Sequence, residues 1–443
     1  MDAKAEGSSR KVQARPGSVL YRYGQLILLA AAPGVIYPVM YLRQVYQTSM
    51  VAALSINDQQ LGYLTSMLGT AFMLCYLPSG WLADRVSSRV LLSFSLLGSG
   101  ALALWYAMLP SFYYLLIVFC GFGLTAGLTF WAALVKRVKQ LAGEHEQGRF
   151  FGFLEGGRGV FEGLLATAAI TLFVYHTKTQ GESLAVGLQQ VIRLYAYACI
   201  TLGFVLAWVP DPIKATAASS AEAKPVRAAC GTLLADLKLL AGVRELWLVA
   251  AIVFCGYHFF WATYTFSAYL ENGGLGLTAA MAGIVTTIKL WMRPIGSIGG
   301  GWLGDRFTNL RVLAWAFVLV AGAMVGLIAL PSLRSVGGSI VVGAGIAIVI
   351  FYGLMTYAIR GLYWATLEHC PIPARMTGLA IGLVSVIGFS PDALVPLING
   401  WVIQHYPGRL GYQIYLSYVL IVGTCGLFAV LALKKRVEQR NAA

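Results

Sequence analysis

Residues 80–85 read Gly-Trp-Leu-Ala-Asp-Arg, and almost the same stretch, Gly-Trp-Leu-Gly-Asp-Arg, stands again at 301–306. A second stretch, Phe-Trp-Ala-Ala-Leu at 130–134, has a counterpart in Tyr-Trp-Ala-Thr-Leu at 363–367. Single residues repeat in the same way, and the pairs are Gly148 with Gly378, Gly152 with Gly382 and Glu162 with Asp392. These matches occur in one order, at spacings of 221, 233 and 230 residues. The chain therefore contains an internal repeat of about half its length.

The composition excludes several classes of protein. Of the 443 residues, 58% are hydrophobic and only 11% are charged, and the mean hydropathy is +0.72. Soluble proteins carry about 25% charged residues, so this chain lacks the polar surface of a cytosolic enzyme, a nucleic-acid-binding protein or a secreted disulfide-bonded scaffold. The seven cysteines are scattered without a Cys-x-x-Cys pair, and this pattern predicts neither a metal site nor another cofactor.

Twelve long apolar runs are bounded by glycine, proline or charged residues. Runs of this length predict transmembrane helices, because about 20 apolar residues are needed to cross the hydrocarbon core. A helix also satisfies its own backbone polar groups in lipid. The predicted spans are 23–49, 59–83, 89–109, 112–136, 149–175, 188–209, 246–270, 279–303, 311–330, 338–366, 376–403 and 411–433.

The basic residues predict how these spans are oriented. Of the 32 lysines and arginines, 23 lie in one set of connections and four lie in the opposite set. Basic residues accumulate on the cytoplasmic side of membrane proteins, so we expect both termini in the cytoplasm. The net charge of +14 has the same explanation, and no nucleic-acid partner is expected.

The longest connection divides the chain into two halves. The predicted order is a cytoplasmic tail at 1–22, a six-helix bundle at 23–209, a cytoplasmic linker at 210–245, a second six-helix bundle at 246–433 and a cytoplasmic tail at 434–443. Leucines interspersed with charged residues predict a short amphipathic helix at 229–242, inside the linker. The repeat relates the two bundles by an axis along the membrane normal, which places a substrate cavity between them near the midplane.

The repeated Gly-Trp-Leu-x-Asp-Arg stretch falls between the second and third spans, and again between the eighth and ninth. In these positions it resembles the signature of the major facilitator superfamily, and the resemblance covers nearly the whole chain. It implies an all-α membrane protein with twelve transmembrane helices in two six-helix bundles. It also implies a secondary transporter of the inner membrane, not an enzyme. By this resemblance Asp84, Arg85, Asp305 and Arg306 form gating salt bridges between the halves in the outward-facing state.

The first span carries a closer resemblance. Tyr-Leu-Arg at 41–43, followed by Leu-Gly at 61–62, is similar to the organic-anion and organophosphate branches of the superfamily. In those branches an arginine in the position of Arg43 contacts an anionic substrate, and Tyr41 stands beside it. Phosphate-exchanging members have a companion arginine in span 7, whereas residues 257–261 read Tyr-His-Phe-Phe-Trp here. The resemblance therefore implies transport of an organic anion more than exchange of phosphate.

Eight ionisable side chains fall inside the predicted spans, where burial is costly and indicates function. The five cations are Arg43, Arg158, Lys289, Arg293 and Arg360, and the three acids are Glu155, Glu162 and Asp392. The excess of positive charge favours an anionic ligand, and the planar guanidinium binds carboxylates bidentately. We expect the cations to bind the substrate and the acids to carry the coupling proton.

Structural roles stay open for the charges of spans 1, 5 and 10. Arg158 can pair with Glu155 and Glu162 along one face of its own helix. Arg43 can extend toward the membrane surface instead of contacting substrate. Arg360 either faces the cavity or forms part of an inner gate.

Spans 8 and 11 leave similar alternatives. Lys289 and Arg293 lie four residues apart on one helix face, so each needs an anion from elsewhere, either the substrate or Asp392. Asp392 stands next to Pro391 and close to Pro396, which predict a broken helix. Its carboxylate is either a proton acceptor or a partner for freed backbone donors.

Aromatic residues surround His258 in span 7. Trp261 and its neighbours can stack on the apolar or sugar face of a substrate. Histidine titrates near neutral pH and can relay protons, although a lone histidine among aromatic rings can also serve packing alone. His258, Trp261 and Tyr41 complete the predicted substrate site.

These observations predict a secondary active transporter of a small organic anion, such as a carboxylate or a sugar acid. We expect it to be coupled to protons and to work as a monomer in the lipid bilayer. No P-loop motif occurs, so ATP is not expected to drive transport. The alternatives are an exporter of amphipathic drugs or lipids, which the cationic excess disfavours, and a transporter-like membrane sensor, which the short linker and tails disfavour.

Overall fold

A computed structural model describes residues 19–142, 147–209, 238–372 and 377–442, and within these ranges the chain is helical with no strand. In the first half the α-helices are α1 Val19–Met40, α2 Arg43–Ala53, α3 Asp58–Arg85, α4 Ser88–Tyr106, α5 Phe112–Gly123, α6 Trp131–Leu141, α7 Gln147–Val174 and α8 Leu184–Trp208. In the second half they are α9 Arg244–Ala262, α10 Phe266–Asn272, α11 Ala279–Phe307, α12 Asn309–Ala329, α13 Arg334–Leu362, α14 Thr377–Gly388, α15 Pro391–His405 and α16 Arg409–Ala442.

The buried apolar side chains form two clusters, one in each half of the chain. The first cluster runs from Leu26 to Leu206 and takes in Leu290 from the second half. The second cluster runs from Leu240 to Leu433. Each half therefore has its own core, and the polar side chains between the halves are free to line a cavity.

Ten helical stretches of the described residues are long and apolar enough to cross a membrane. The predicted spans at 59–83 and 279–303 are absent from these ten, although α3 and α11 have 28 and 29 residues. At 1.5 Å per residue each is about 42 Å long and exceeds the hydrocarbon core. Their sequences are more polar, since α11 alone contains six glycines, Lys289 and Arg293. The twelve-span count thus stays a prediction.

Several predicted spans are interrupted helices. The first span breaks at Tyr41 and Leu42, between α1 and α2. The seventh passes through a 3₁₀ turn at Thr263–Thr265. In the eleventh, α14 ends at Gly388 and α15 begins at Pro391, where the prolines predict a break. Each interruption lies next to polar side chains of the cavity described below.

Both described chain ends lie at the same end of the bundle. The Tyr23 ring packs on Phe150 at the start of α7, and Arg440 donates a hydrogen bond to the His369 carbonyl at 3.0 Å. The linker expected at 210–245 is described only from residue 238, and residues 238–241 are helical. The rest of the amphipathic helix expected at 229–242, and most of the tail expected at 1–22, lie outside the described residues.

Candidate functional site

A cavity of about 1720 Å³ lies between the two halves. It extends from Tyr41, where α1 breaks, to Gly152 and Asp305 at the end of the bundle that holds the chain termini. We call this the open end, because Asp305 is exposed there. The opposite end, where α2 packs against α10, is the closed end.

Arg43 lies in the closed end and does not line the cavity. Its guanidinium is 2% exposed, and Nη2 donates to Asn399 Oδ1 at 2.6 Å, across the two halves. Nη1 donates to Thr65 Oγ1 at 3.1 Å, and Nη2 also approaches Gln47 Oε1 at 3.4 Å. The side chain is therefore buried between the halves and does not extend to the membrane surface.

Glycines let α3 and α15 approach closely beside this contact. A Cβ on Gly62 would lie 2.5 Å from the Pro396 carbonyl oxygen, and a Cβ on Gly69 would collide with the Asp392 backbone. The Ser66 hydroxyl donates to the Ala393 carbonyl at 2.7 Å. The backbone that carries Asp392 is thus fixed against the other half of the molecule.

The acids of α7 have different partners. Glu155 Oε1 lies 4.0 Å from Arg158 Nη1 on the same helix, and the Arg158 guanidinium also covers the Tyr37 ring at 4.7 Å. Glu162 instead pairs with Arg293 of α11, on the other half. All four charged groups line the cavity. One alternative for this helix was a cluster in which Arg158 pairs with both glutamates. This cluster does not form, because Glu162 pairs with Arg293 instead.

Lys289 lies four residues before Arg293 but outside the cavity lining. It is fully buried, its stem packs on Gly353, and Nζ donates to the Thr263 carbonyl at 3.4 Å. Asp392 was one of two candidate partners for Lys289 and Arg293, and in this structure it contacts neither of them. Glu162 supplies the anion for Arg293, because α7 packs directly against α11.

Asp392 lines the cavity and is 4% exposed. Its Oδ1 accepts hydrogen bonds from the Tyr257 hydroxyl and from Trp261 Nε1, each at 2.8 Å. Both donors are neutral and both come from α9. The carboxylate is therefore held by hydrogen bonds and forms no direct ion pair with a described residue.

Arg360 of α13 lines the same cavity. Its guanidinium lies 4.1 Å from the centre of the Phe260 ring and 5.4 Å from that of Tyr257. No carboxylate of the described residues lies within 4.0 Å of it, in contrast to Arg158 and Arg293. Each of the three cavity arginines of the described chain lies over an aromatic ring, and Arg360 differs from the other two in having no carboxylate within 4.0 Å.

Tyrosines form much of the remaining wall. Tyr41 stacks on Tyr264 at 5.2 Å and meets Trp261 edge-on at 6.2 Å. The lining tyrosines not predicted as site residues are Tyr37, Tyr46, Tyr76, Tyr195, Tyr257, Tyr264, Tyr357 and Tyr363. Helical spacing could have identified two of them. Tyr37 precedes Tyr41 by four residues and Tyr257 precedes Trp261 by four, so each shares a helix face with a predicted site residue.

His258 lies away from the cavity, between α9 and α16. Its Nδ1 is 2.9 Å from the Phe254 carbonyl, so Nδ1 carries the proton and Nε2 accepts from the Tyr418 hydroxyl at 3.0 Å. The ring is 1% exposed. Both nitrogens are satisfied, which matches the packing alternative for this histidine.

The residues expected to form gating salt bridges lie at the open end. Asp305 is exposed and borders the cavity, while the Arg306 guanidinium covers the Trp302 and Phe307 rings at 5.7 and 5.6 Å. Arg85 ends α3, and the Asp84 side chain lies outside the described part of the chain. Their role in an outward-facing state stays a prediction.

The charges of the cavity differ from the predicted excess of cations. Arg158, Arg293 and Arg360 line it, and so do Glu155, Glu162 and Asp392, with Asp305 at the mouth. Arg43 and Lys289, which supply the predicted excess, are buried outside the lining. The described lining of the cavity inside the spans therefore carries no net charge while all of these groups are ionised.

Two halves that enclose a central cavity are the architecture of many membrane transporters. The family model described as Major Facilitator Superfamily matches residues 26–396. The chain belongs to the major facilitator superfamily. Members of this superfamily are membrane transporters, so the prediction of a transporter that is not an enzyme is confirmed.

Relatives within the superfamily match over almost their whole length. The inner membrane protein YqcE of Escherichia coli K12 is 29% identical, over 94% of this chain and 95% of its own. The inner membrane protein YihN of the same strain is 27% identical, over 94% and 96%. A D-galactonate transporter of Escherichia coli O6:H1 is 23% identical, over 96% and 98%.

Solved structures share the fold. The nucleoside transporter NupG superposes with a TM-score of 0.69 at 13% identity, over 93% of this chain and 99% of its own. A bacterial homologue of the human lysosomal transporter Spinster, in an inward-facing and occupied conformation, gives 0.67 at 16% identity, over 95% and 98%. At these identities the likeness concerns the superfamily fold alone.

Proposed function

We propose that this chain is a secondary active transporter of the inner membrane that moves a small organic anion by alternating access. The observation that carries the proposal is Arg360, a cation in the cavity wall without an acid partner among the described residues. A guanidinium offers two parallel donors to a carboxylate. The aromatic rings beneath it leave its edge available to a ligand.

The other charges of the cavity support an anion bound together with a proton. Glu162 neutralises Arg293, and Glu155 lies near Arg158. Asp392 is the carboxylate that only neutral donors hold, so its protonation breaks no ion pair. Protonated Asp392 leaves the cavity with one net positive charge, which one monoanion balances. The proposed cycle is therefore symport of an anion with one proton.

Sequence similarity favours a sugar acid as the anion. The relative named as a D-galactonate transporter matches nearly the whole chain. The hydroxyl groups of the lining tyrosines can bind sugar hydroxyls, and their rings can stack on carbon faces of a sugar acid. A carboxylate-bearing polyol combines both features of this cavity.

The proposed membrane topology has twelve spans with both termini in the cytoplasm. The distribution of basic residues supports it, and the described chain ends share one end of the bundle. With this orientation the open end of the cavity faces the cytoplasm, and the domain boundaries at 23–209 and 246–433 delimit the two moving halves. The relatives named as inner membrane proteins support the location.

Thermal stabilisation of the purified full-length protein tests the proposal. A ligand that binds only the folded state raises the melting temperature, and the rise grows with the ratio of ligand concentration to dissociation constant. We expect D-galactonate, D-gluconate or D-glucuronate to stabilise the wild type, and neutral galactitol to leave it unchanged. Arg360→Gln should abolish this effect. Arg311→Gln, which makes the same change at an exposed position of α12, should retain it. Stabilisation of Arg360→Gln equal to that of the wild type contradicts the anion site.

A second candidate function is export of amphipathic compounds. The observation in its favour is the aromatic wall, in which Phe72, Trp131, Phe161 and Trp364 join the tyrosines. An exporter predicts that neutral amphipathic compounds stabilise the protein and that Arg360→Gln does not change their effect. The same experiment therefore separates the two candidates.

A further inference from the structure

One side chain, Tyr257 of α9, contacts both the group proposed to take up the proton and the group proposed to bind the anion. Its hydroxyl donates to Asp392 Oδ1 at 2.8 Å, and the Arg360 guanidinium lies over its ring at 5.4 Å from the ring centre. The ring also stacks on Phe260 at 5.5 Å and meets Phe389 edge-on at 4.9 Å. A packed aromatic ring therefore contacts a cation on its face and a carboxylate at its hydroxyl.

Asp392 and Arg360 carry opposite charges, yet they form no ion pair. Arg360 lies close enough to act on the charge of Asp392, but their nitrogen and oxygen atoms are more than 4.0 Å apart. Opposite charges attract strongly in the low dielectric of a protein interior. Their separation therefore requires groups that hold each of them in place, and Tyr257 contacts both.

Arg293 shows what a direct contact does to a cavity arginine. Glu162 pairs with it across the two halves, so its charge is already neutralised. A guanidinium bound to a carboxylate of the protein has fewer donors left for the carboxylate of a ligand. An ion pair between Asp392 and Arg360 would therefore occupy the group that the substrate needs.

The other ionisable groups of the described residues do not replace this pair. Glu155 also acts on Arg360, but it lies 4.0 Å from Arg158. The remaining ionisable groups near Asp392 are tyrosines, which are uncharged at neutral pH. They are Tyr37 and Tyr41 of α1, Tyr76 of α3, Tyr264 of the 3₁₀ turn and Tyr363 after α13. The charge that acts on Asp392 is that of Arg360.

We propose that Tyr257 is a positioning residue that keeps Asp392 and Arg360 apart, so that Arg360 stays available to the substrate and Asp392 to the proton. The inference rests on the proposed function and adds the residue that links its two sites. The hydroxyl of Tyr257 holds the carboxylate, and its ring holds the guanidinium. Without this side chain the two charges pair, and the substrate has to displace a carboxylate of the protein.

The test measures binding of D-galactonate, D-gluconate and D-glucuronate to the purified full-length protein by calorimetric titration at neutral pH. Tyr257→Ala should bind the tightest of these acids about tenfold or more weakly than the wild type, because Asp392 then neutralises Arg360 at close range. Tyr257→Phe should bind it like the wild type, because the ring remains and Trp261 still donates to Asp392. If Tyr257→Ala fails to fold, Tyr257→Val supplies the same measurement.

Asp392→Asn in the Tyr257→Ala background separates positioning from packing. Asparagine has no charge with which to neutralise Arg360, so the double variant should bind within about threefold of Asp392→Asn alone. A loss caused by the missing ring itself would persist in the double variant. Tyr418→Ala is the matched control, because the Tyr418 hydroxyl bonds to His258 outside the cavity lining. This control should bind like the wild type.

The outcomes separate the two proposals. Wild-type affinity in Tyr257→Ala, or a loss that Asp392→Asn does not restore, overturns the positioning role and leaves the anion transporter standing. An equal loss in Tyr257→Phe does the same, since that variant keeps the ring. Absence of binding of all three acids to the wild type overturns both proposals.

Discussion

Replacing Asp392 with asparagine should abolish proton-driven accumulation while preserving substrate binding. The amide oxygen of asparagine can accept the same hydrogen bonds from Tyr257 and Trp261 that the carboxylate accepts at 2.8 Å. The side chain keeps its shape and loses its ability to take up a proton. The variant therefore changes coupling without removing a group that supports the fold.

The structure sets the expected size of the effect. Within the spans of the described chain, three carboxylates line the cavity, and Glu155 and Glu162 lie within 4.0 Å of arginines. One carboxylate, Asp392, is left to exchange a proton in each cycle. A monoanion and one proton carry no net charge, so the pH difference alone drives accumulation. One pH unit corresponds to about 1.4 kcal/mol, or about tenfold accumulation.

The assay uses proteoliposomes with a pH difference of one unit, acidic outside, and the sugar acid that binds most tightly. The wild type should accumulate it about tenfold, and an imposed membrane potential should not alter this ratio. Asp392→Asn should reach a ratio of about one and retain exchange of labelled for unlabelled substrate. Asp58→Asn is the matched control, because Asp58 bonds to Gln47 outside the cavity. Tenfold accumulation by Asp392→Asn, or a wild-type ratio that follows the membrane potential, refutes the reasoning.

Three further substitutions test the closed end, the ion pair between the halves and the role of His258. Gly69→Val should abolish uptake, because its side chain collides with the Asp392 backbone and keeps the closed end from forming; a labelling assay that finds the closed end still sealed contradicts this. Arg293→Met should lower the free energy of unfolding by about 3–5 kcal/mol, because Glu162 is then buried without its partner, and adding Glu162→Gln should restore most of it. Denaturant unfolding measures both, and equal loss in the single and double variants argues against the pair. His258→Gln should leave the pH dependence of uptake within about twofold of the wild type, since both ring nitrogens serve packing; a lost pH dependence shows that the histidine relays protons.

The fold was predictable where the sequence repeats or where apolar runs are uninterrupted. The repeat at 80–85 and 301–306 predicts two similar halves around a cavity, and the structure has one apolar core in each half with a cavity between them. The break next to Pro391 was predictable because proline lacks a backbone donor. The break at 41–42 was not, since neither position holds glycine or proline. At this break the Arg43 side chain contacts Asn399, which lies 356 residues further along the sequence.

The charged residues of the site were predictable, but their partners were not. Helical spacing correctly placed Glu155 next to Arg158. The same spacing rule also predicted Glu162 as a possible partner of Arg158, but Glu162 pairs with Arg293 of the other half. Local spacing cannot anticipate which helix of the second half packs on α7. Neutral residues such as Tyr357 were missed because a tyrosine in an apolar run carries no charge to mark it as exceptional.

Two of the polar links between the halves, Arg43–Asn399 and Arg293–Glu162, differ in strength in a way that the proposed rocking motion explains. At the closed end, Arg43 bonds to an amide oxygen of Asn399, and this link must break whenever that end opens. Breaking a hydrogen bond to a charged group costs about 1.5–3 kcal/mol, less than the 3–5 kcal/mol lost when a buried ion pair is broken. The Glu162–Arg293 pair lies along the α7–α11 contact, where Gly159 packs on Pro294. A rotation of one half against the other moves the ends of the helices far and the middle of such a contact little. The strong ion pair between Glu162 and Arg293 can therefore persist near the pivot. At the closed end, by contrast, the bond between Arg43 and Asn399 must be weak enough to break in each cycle.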